Sequence, residues 1–409
     1  MRFENYAFDE TLKENLETAG FKKPTDIQYK AIPSILQGED VLAIAQTGTG
    51  KTAAFAIPVI HRLLTRRGKR LPDEISCLIL VPTRELALQI AEVFHQFTTN
   101  THLQILALIG GVEEAPQIKQ LKKGVDVLIS TPGRMFDLKS RGELTLSHTG
   151  MLILDEADKM LALGFYRDIR DVVYDLPRHH QTLFFSATIN EEIKDLAYSL
   201  VKNPIRIQLS PKDPVSKNVD HSVAFMNMDD KRFFLERLIR ENPEKKILVF
   251  VRTKVRAERV HAAMLRVGID TLTLHGDKDQ QERLDVLEKF RSGDIQVMIA
   301  TDVSARGIDI KGIQLVLNYD LPDIAENYVH RVGRTGRAFD RGNAYSFCAP
   351  EEEAILQEIE TYIGKEIKRL AIDKADYSMT KAMSEEPDTN WKKLLLDAEK
   401  EEGKRKRKK

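Results

Sequence analysis

The sequence lacks an excess of either charge, has few cysteines and contains no long apolar segment. Its 62 lysine and arginine residues balance 62 aspartate and glutamate residues, so composition does not indicate a nucleic-acid partner, although a balanced total can hide local patches. The two cysteines, Cys77 and Cys348, lie far apart in apolar stretches, which favours buried thiols in a reducing compartment over a disulfide or a metal site. No apolar run reaches the roughly eighteen residues of a membrane span, and the first residues are unlike a signal peptide. We therefore expect a soluble, cytoplasmic protein.

The length and the hydrophobic pattern predict two α/β domains. A chain of 409 residues exceeds one ordinary core, and a hydrophobic content of 42% is enough to fill two. In the first half, short apolar runs alternate with helix-like segments such as residues 84–98, an alternation typical of βαβ units and a parallel sheet. The predicted strands of this half are residues 41–44, 77–81, 125–129, 151–154 and 182–185.

A segment rich in proline and lysine, residues 210–217, interrupts this pattern, which then starts again. Its composition favours a linker between a first domain, residues 1–209, and a second domain, residues 218–371. The predicted strands of the second domain are residues 247–251, 271–274, 297–300 and 315–318.

The last segment, residues 372–409, is polar and ends in six consecutive cations, Lys404 to Lys409. Like charges at this density repel one another and cannot pack, so we expect a disordered basic tail. Such a tail either improves solubility or tethers the protein electrostatically to phosphate backbones.

A glycine-rich segment between a predicted strand and a helix has the pattern of a phosphate-binding loop. Its backbone N–H groups can surround a polyphosphate, Lys51 can supply positive charge to the β- and γ-phosphates, and the Thr52 hydroxyl can reach Mg²⁺. The helix that follows adds the dipole of its N-terminus to the site. The first glycine of the general pattern is replaced by alanine. The segment comprises Ala45, Gln46, Thr47, Gly48, Thr49, Gly50, Lys51 and Thr52.

About a hundred residues later, acidic residues follow the apolar run 151–154, which has the character of a buried parallel strand. An acid at such a strand end, Asp155, can hold the same Mg²⁺ through water, and the next, Glu156, can orient an attacking water. The two motifs together predict that ATP is bound and cleaved. Since only one of the two domains has a phosphate loop, we expect ATP to bind between them.

These motifs and their order resemble the DEAD-box RNA helicases of helicase superfamily 2. The resemblance covers about residues 3–340 and implies an α/β fold of two tandem RecA-like domains with parallel sheets, joined by a short linker. The short flanking segments resemble the compact bacterial members of that family.

Residues 20–28 resemble the adenine-recognising segment of the family, and the isolated aromatic Phe3 stands seventeen residues before it. An amide such as Gln28 can pair with a donor and an acceptor on the adenine edge, while Phe21 can cover the ring. Asp26 stands where proline is commoner in the family, and we expect it to change the stiffness of the loop more than its chemistry.

Further segments match the motifs that contact RNA in the family. Each provides an arginine, a hydroxyl or a glycine that exposes N–H groups, which are the groups that phosphates require. The resemblance implies RNA gripped through phosphates and 2′-hydroxyls with little sequence preference. The residues implied in RNA binding are Arg84, Gly111, Thr131 and Arg134 in the first domain and Arg252 and Thr301 in the second.

The resemblance also implies residues that couple the two domains. Arg334 and Arg337 correspond to arginine fingers, which supply positive charge to the γ-phosphate as its bond breaks. His330 links them to the acidic motif and to Ser186 and Thr188, whose hydroxyls are expected to form hydrogen bonds around the acids. Asp309 is expected at the ribose.

The sequence thus predicts an ATP-dependent RNA helicase, acting as a monomer, that closes on RNA and unwinds short duplexes without processive travel. Two alternatives remain open: an ATP-gated RNA clamp or assembly scaffold, and a DNA-dependent translocase of the same superfamily. Ribosomal or other ribonucleoprotein partners, contacted through the tail, are expected, but the sequence does not specify them.

Overall fold

The computed structural model describes residues 2–45, 48–66, 74–209, 215, 218–305, 310, 312–336 and 341–384. These residues form two α/β lobes, each built on a parallel sheet of seven strands. Within the described ranges, no helix is both long enough and apolar enough to cross a membrane. Several predictions lie outside these ranges, namely those on Gln46, Thr47, Asp309, Arg337, most of the linker and residues 385–409.

The first lobe has the strand order β3-β4-β2-β5-β6-β1-β7. Its strands are β1 (Val41–Ala45), β2 (Cys77–Leu80), β3 (Ile105–Leu108), β4 (Val127–Ser130), β5 (Met151–Leu154), β6 (Gln181–Ser186) and β7 (Ile205–Leu209). Its helices are α1 (Glu10–Thr18), α2 (Asp26–Leu36), α3 (Lys51–Leu64), α4 (Arg84–Phe97), α5 (Glu114–Lys123), α6 (Pro132–Ser140), α7 (Ala157–Ala162), α8 (Tyr166–Asp175) and α9 (Glu191–Leu200).

The second lobe repeats this plan with the order β10-β11-β9-β12-β13-β8-β14. Its strands are β8 (Val219–Phe225), β9 (Ile247–Val251), β10 (Leu272–Leu274), β11 (Val297–Thr301), β12 (Leu315–Asn318), β13 (Gly342–Cys348) and β14 (Lys368–Leu370). Its helices are α10 (Lys231–Arg240), α11 (Lys254–Arg266), α12 (Gln280–Ser292), α13 (Asp302–Ala305), α14 (Ala325–Val332), α15 (Glu353–Ile363) and α16 (Lys374–Ala382).

Helices cover both faces of each sheet, so the central strands are buried on two sides. Along β1, Val41 and Ala43 belong to one hydrophobic core, whereas Leu42 and Ile44 belong to the core on the opposite face. Each face therefore needs apolar side chains, and a strand buried on both faces is apolar at consecutive positions. This is why unbroken apolar runs predicted these strands.

All nine predicted strands are present, and five others were missed: β3, β7, β8, β13 and β14. Both β7 and β14 are edge strands with mostly exposed or half-buried side chains, so they have no continuous apolar run. In β13 polar residues interrupt the run, because Ser346 pairs inside the sheet with Asn318, whose Nδ2 donates to the Ser346 hydroxyl at 3.0 Å. Alternating or polar patterns of this kind were too weak for a sequence-based assignment.

The boundaries of the second lobe need two corrections. Part of the predicted disordered tail is the helix α16, which is fastened to α10 by hydrogen bonds from Arg237 to Asp376 and Thr380, each of 2.7 Å. At the other end Val215, inside the predicted linker, is buried in a core of the second lobe. Polar partners and the packing of the Tyr377 ring, 5.0 Å from the ring of Phe234, hold α16. The helix has few apolar residues, which explains why its sequence resembled a tail.

Candidate functional site

The strand order brings the predicted nucleotide residues together. The phosphate loop follows β1, the acids follow β5, and Ser186 ends β6, and these three strands are neighbours in the order β5-β6-β1. The predicted RNA segments of this lobe follow β2, β3 and β4, which lie on the other side of β5. Because all strands are parallel, both groups lie at the carboxyl edge of one sheet, with the predicted nucleotide residues on one half and the predicted RNA residues on the other.

The phosphate loop has the backbone geometry of an anion cradle. Gly48 and Gly50, on either side of Thr49, have φ values of +83° and +94°. Residues other than glycine adopt such a backbone conformation only with strain. Thr52 lies in the first turn of α3, whose N-terminus the loop forms. The Lys51 ammonium is buried, with the residue 6% exposed, and Nζ has no hydrogen-bond partner among the described residues. A buried ammonium without a hydrogen-bond partner among the described residues, at the N-terminus of a helix, fits a polyphosphate.

Gln28 connects the adenine-recognising segment to this loop. It is buried, its Oε1 accepts from the backbone N–H of Thr25 at 2.8 Å, and its Nε2 donates to the carbonyl of Gly50 at 3.1 Å. A Cβ atom at Gly50 would lie 2.5 Å from that Nε2, so glycine is required for the contact. Gln28 therefore braces the phosphate loop, a role that the sequence analysis did not foresee; its contact with adenine stays a prediction.

The two aromatic residues assigned to the base have different environments. Phe21 is partly buried, with its ring edge-on to Phe97 at a centroid distance of 5.1 Å. Phe3 is only 3% exposed and packs against Tyr6 and Phe21. Phe3 thus exposes little surface and supports Phe21 by packing; its contact with the base stays a prediction.

The acid that ends β5 has the environment of a metal-binding carboxylate. Asp155 is buried, and burial together with the adjacent Glu156 carboxylate raises its pKa to about 6, although Lys51 acts in the opposite direction. Its Oδ1 accepts from the backbone N–H of Glu156 at 3.0 Å. A cation bound there would remove the cost of ionising the buried acid, so Asp155 and Thr52 fit the predicted Mg²⁺.

Glu156 is held in an unusual conformation and is ionised. Its φ of +54° is in the left-handed region, and it forms the N-terminal boundary of α7. Burial acts to raise its pKa, but the ammonium groups of Lys159 and Lys51 outweigh burial and hold the pKa at about 2. Lys159, which forms an ion pair with Glu156 at 2.7 Å, was missed in the sequence analysis because a lysine on a short helix gives no signal of its own.

The second lobe contributes charged groups to the same site. Arg334 follows α14 and is buried, with its Nε donating to the carbonyl of His330 at 3.2 Å. Its positive charge acts on both Glu156 and Lys159, so it lies within electrostatic reach of the acidic motif of the first lobe. The structure therefore places the predicted finger Arg334 within electrostatic reach of Glu156, the acid predicted to orient the attacking water.

His330 meets the acidic motif as predicted. Side-chain atoms of His330, Glu326 and Asp158 all lie within 4.8 Å of one another, across the two lobes. The Thr188 hydroxyl donates to Asp158 Oδ2 at 3.4 Å. Ser186 departs from the prediction, because its hydroxyl donates to the backbone carbonyl of Thr188 at 2.8 Å and so braces the segment that contains Thr188.

The predicted RNA residues differ in how their side chains are engaged. Arg134 pairs with Glu114 at 3.1 Å and Asp137 at 2.9 Å, and Arg252 pairs with Glu352 at 2.8 Å. Exposed Gly111 has a φ of +78°, while Thr131 and Thr301 are half-buried at strand ends. The guanidinium groups of these two arginines are thus oriented by acids, and their contact with RNA stays a prediction.

Contacts between the lobes near Arg84 were also missed. Arg84 is exposed and donates to Gln280 of the second lobe at 3.3 Å, while its neighbour Glu85 pairs with Arg283 at 2.7 Å. Gln280 and Arg283 are three residues apart on α12 and therefore share a face of that helix. The spacing of Gln280 and Arg283 in the sequence could have indicated that they act together. Nothing in the sequence indicates that their partners, Arg84 and Glu85, lie in the other lobe.

Comparisons with known proteins agree with this geometry. Residues 25–196 match the family model described as DEAD/DEAH box helicase, and residues 230–339 match the helicase conserved C-terminal domain. The chain is 38% identical over 369 residues to the ATP-dependent RNA helicase CshA of Listeria monocytogenes, covering 90% of this chain and 70% of that protein. It belongs to the DEAD-box ATP-dependent RNA helicases. Like other helicases of this family, the chain is an ATP-hydrolysing, RNA-binding enzyme.

Two solved DEAD-box structures differ in their similarity to this chain. S. cerevisiae Dbp5 bound to RNA and ADP BeF3 is 30% identical, with a TM-score of 0.82 over 93% of this chain and 99% of that one. A DEAD box protein from Methanococcus jannaschii is 37% identical, yet its TM-score is 0.54 over 91% and 99%. The more identical DEAD-box chain therefore has the lower TM-score.

Proposed function

We propose that this DEAD-box helicase hydrolyses ATP only when its two lobes close over single-stranded RNA, and that closure separates short RNA duplexes locally. The observation that supports this most directly is the site made by both lobes. Lys51, Asp155 and Glu156 come from the first lobe, while the charge of Arg334, from the second lobe, acts on Glu156. Hydrolysis that needs a charge from the opposite lobe depends on closure.

In this proposal each residue acts on a different part of the reacting phosphate. Lys51 binds the β- and γ-phosphates, Glu156 orients the attacking water, and Arg334 compensates the charge that develops on the γ-phosphate oxygens. Bound Mg²⁺, held by Asp155 and Thr52, would neutralise phosphate charge. Arg337 is proposed as a second finger and Asp309 as a ribose contact.

Closure also joins the two halves of the proposed RNA surface. Arg84, Gly111, Thr131 and Arg134 follow the first-lobe strands on one side of β5. In the corresponding half of the second sheet, Arg252 follows β9 and Thr301 ends β11. Contacts with phosphates carry no base information, so RNA binding is proposed to depend little on sequence.

The test is RNA-stimulated phosphate release and duplex unwinding by wild type and Glu156→Gln. We expect wild type to be stimulated by RNA and to unwind short duplexes, and the variant to bind ATP and RNA but to lose turnover. Equal stimulation by single-stranded DNA would favour the DNA translocase. Full biological activity of Glu156→Gln would favour the clamp.

We also propose that the protein works as a monomer in the cytoplasm and meets ribosomal or other ribonucleoprotein targets through its basic C-terminal segment. Sedimentation analysis with and without RNA checks the first point. Crosslinking and sequencing of bound RNA in cells identifies the targets.

A further inference from the structure

Glu156, to which the proposed function assigns the attacking water, has one of its two oxygens engaged. Oε1 lies 2.7 Å from Nζ of Lys159, and the side chains of the acid and the lysine are only 5% and 4% exposed. Oε2 is also buried and accepts no hydrogen bond from any residue that the structure describes. One oxygen is therefore paired with a cation, and the other is available as an acceptor.

We propose that Lys159 is a positioning residue for ATP hydrolysis, which holds one oxygen of Glu156 so that the other accepts from the attacking water. This inference rests on the proposed role of Glu156. Lys159 itself does not touch ATP in this proposal; it acts through the carboxylate.

The burial of the pair argues against a role limited to helix stability. Among the described residues, two other lysine–glutamate pairs have the same three-residue spacing, Lys194 with Glu191 and Lys13 with Glu10, and in both the acid is 83% exposed. Exposed pairs of this kind contribute little to stability, and burying a pair costs free energy of desolvation. For the stability of α7, which has six residues, an apolar side chain at this position would serve as well, without the cost of desolvating two charges.

The other charges around Glu156 already have tasks in the proposed mechanism. Lys51 at the start of α3 binds phosphates, Asp155 at the end of β5 holds the metal, and Arg334 approaches from the second lobe. Of the cations that act on Glu156, Lys159 is the one that this mechanism leaves without a phosphate to bind. The fixed backbone of Glu156 and the ion pair together restrict the carboxylate to one orientation, as a positioned catalytic group requires.

The test compares Lys159→Met, Lys159→Arg and Lys194→Met in RNA-stimulated ATP hydrolysis. We expect Lys159→Met to lower kcat about tenfold while KM for ATP stays within about twofold, because only the orientation of the water is lost. Lys159→Arg should restore most of kcat, since it keeps the positive charge. Lys194→Met, which removes the exposed pair, is the matched control and should behave as wild type.

A cycle with Glu156→Gln tests whether Lys159 acts through Glu156. The double variant should be no slower than Glu156→Gln alone, and it should melt at a higher temperature than Lys159→Met, which leaves a buried acid without its partner. If Lys159→Met does not fold, Lys159→Gln compared with Lys159→Arg decides the point, with the arginine variant expected to be faster.

Three results would overturn the inference alone: wild-type kcat in Lys159→Met, equal impairment of the arginine and methionine variants, or a further loss of rate in the double variant. Full ATP hydrolysis by Glu156→Gln would instead overturn the proposed role of Glu156, and the inference with it. The two failures are therefore distinguishable within one set of proteins.

Discussion

Arg283 of the second lobe forms an ion pair with Glu85 of the first lobe through two of its guanidinium nitrogens. Its Nη2 lies 2.7 Å from Glu85 Oε1, and its Nε donates to the same oxygen at 2.8 Å. The two side chains are 12% and 4% exposed, so water screens the pair poorly. The pair lies next to Arg84 and Gln280, and it therefore links the proposed RNA surface to the relative position of the lobes.

Breaking this pair should weaken closure. We expect Arg283→Met to destabilise the closed arrangement by about 1–3 kcal/mol, since Glu85 would lose its partner while staying buried. RNA-stimulated ATP hydrolysis should fall about tenfold or more, and the distance between fluorophores on the two lobes should increase in the presence of RNA and a nucleotide analogue. Arg291→Met, on the exposed side of the same helix, is the control. Unchanged closure in Arg283→Met would show that the contact does not hold the lobes.

Gly50 should not tolerate a side chain. Gly50→Ala would adopt φ +94° at a cost of about 1–2 kcal/mol and place Cβ 2.5 Å from Gln28 Nε2, so we expect nucleotide affinity to fall at least about tenfold. Binding of a fluorescent ADP analogue measures this. Gly164→Ala is matched for backbone strain, with φ +85° and no neighbour within 4 Å, and should bind normally. Equal losses in both variants would point to general destabilisation.

The helix α16 should contribute to the stability of the second lobe. The Tyr377 hydroxyl donates to Asp230 Oδ2 at 2.7 Å and accepts from the backbone N–H of Asn227 at 3.1 Å. Tyr377→Phe should therefore lower the free energy of unfolding by about 1–2 kcal/mol in urea denaturation. Tyr174→Phe, at a tyrosine that is 91% exposed, should have no effect. No difference between the two would mean that the helix is not docked in solution.

The effect of Tyr377→Phe should depend on pH. Burial acts to raise the pKa of Asp230, but hydrogen bonds from Tyr377, Lys381 and Asn227 outweigh burial and lower it. Because its pKa is lower in the folded protein, the Asp230 carboxylate stabilises the fold at pH values above the ordinary aspartate pKa. This stabilisation is lost as the pH falls through the pKa of the folded state. The stability difference between wild type and Tyr377→Phe should thus shrink below about pH 4. If the stability difference between wild type and Tyr377→Phe stayed constant down to about pH 3, this linkage would be excluded.

The basic C-terminal residues should act on RNA affinity alone. Deleting Lys404 to Lys409 should weaken RNA binding and reduce its dependence on salt, because fewer counterions are released, while ATP hydrolysis without RNA stays unchanged. Titrations at several salt concentrations measure the slope. An unchanged slope would leave the segment as a solubilising end.

Elements whose structure follows from the pattern of neighbouring residues could be predicted well from the sequence. The phosphate loop, Asp155 and Glu156 were assigned correctly to strand ends because each directly follows an apolar run that must be buried on two faces. The edge strand β7 and the polar strand β13 have no such run, and their places depend on neighbours far along the chain. Likewise α16 looked like a disordered segment, since its partners Asp230 and Arg237 precede it by well over a hundred residues.

The amino-acid order by itself was sufficient to propose the chemistry of the site, because a glycine-rich loop, a strand-end acid and arginines between glycines each have a local pattern. Folding alone determined which of these groups meet and how they are oriented. The Lys159 and Glu156 pair depends on the left-handed start of α7, and the Arg283 and Glu85 pair depends on two lobes packing against each other. Such contacts arise from burial and distance in three dimensions, which a one-dimensional pattern does not contain.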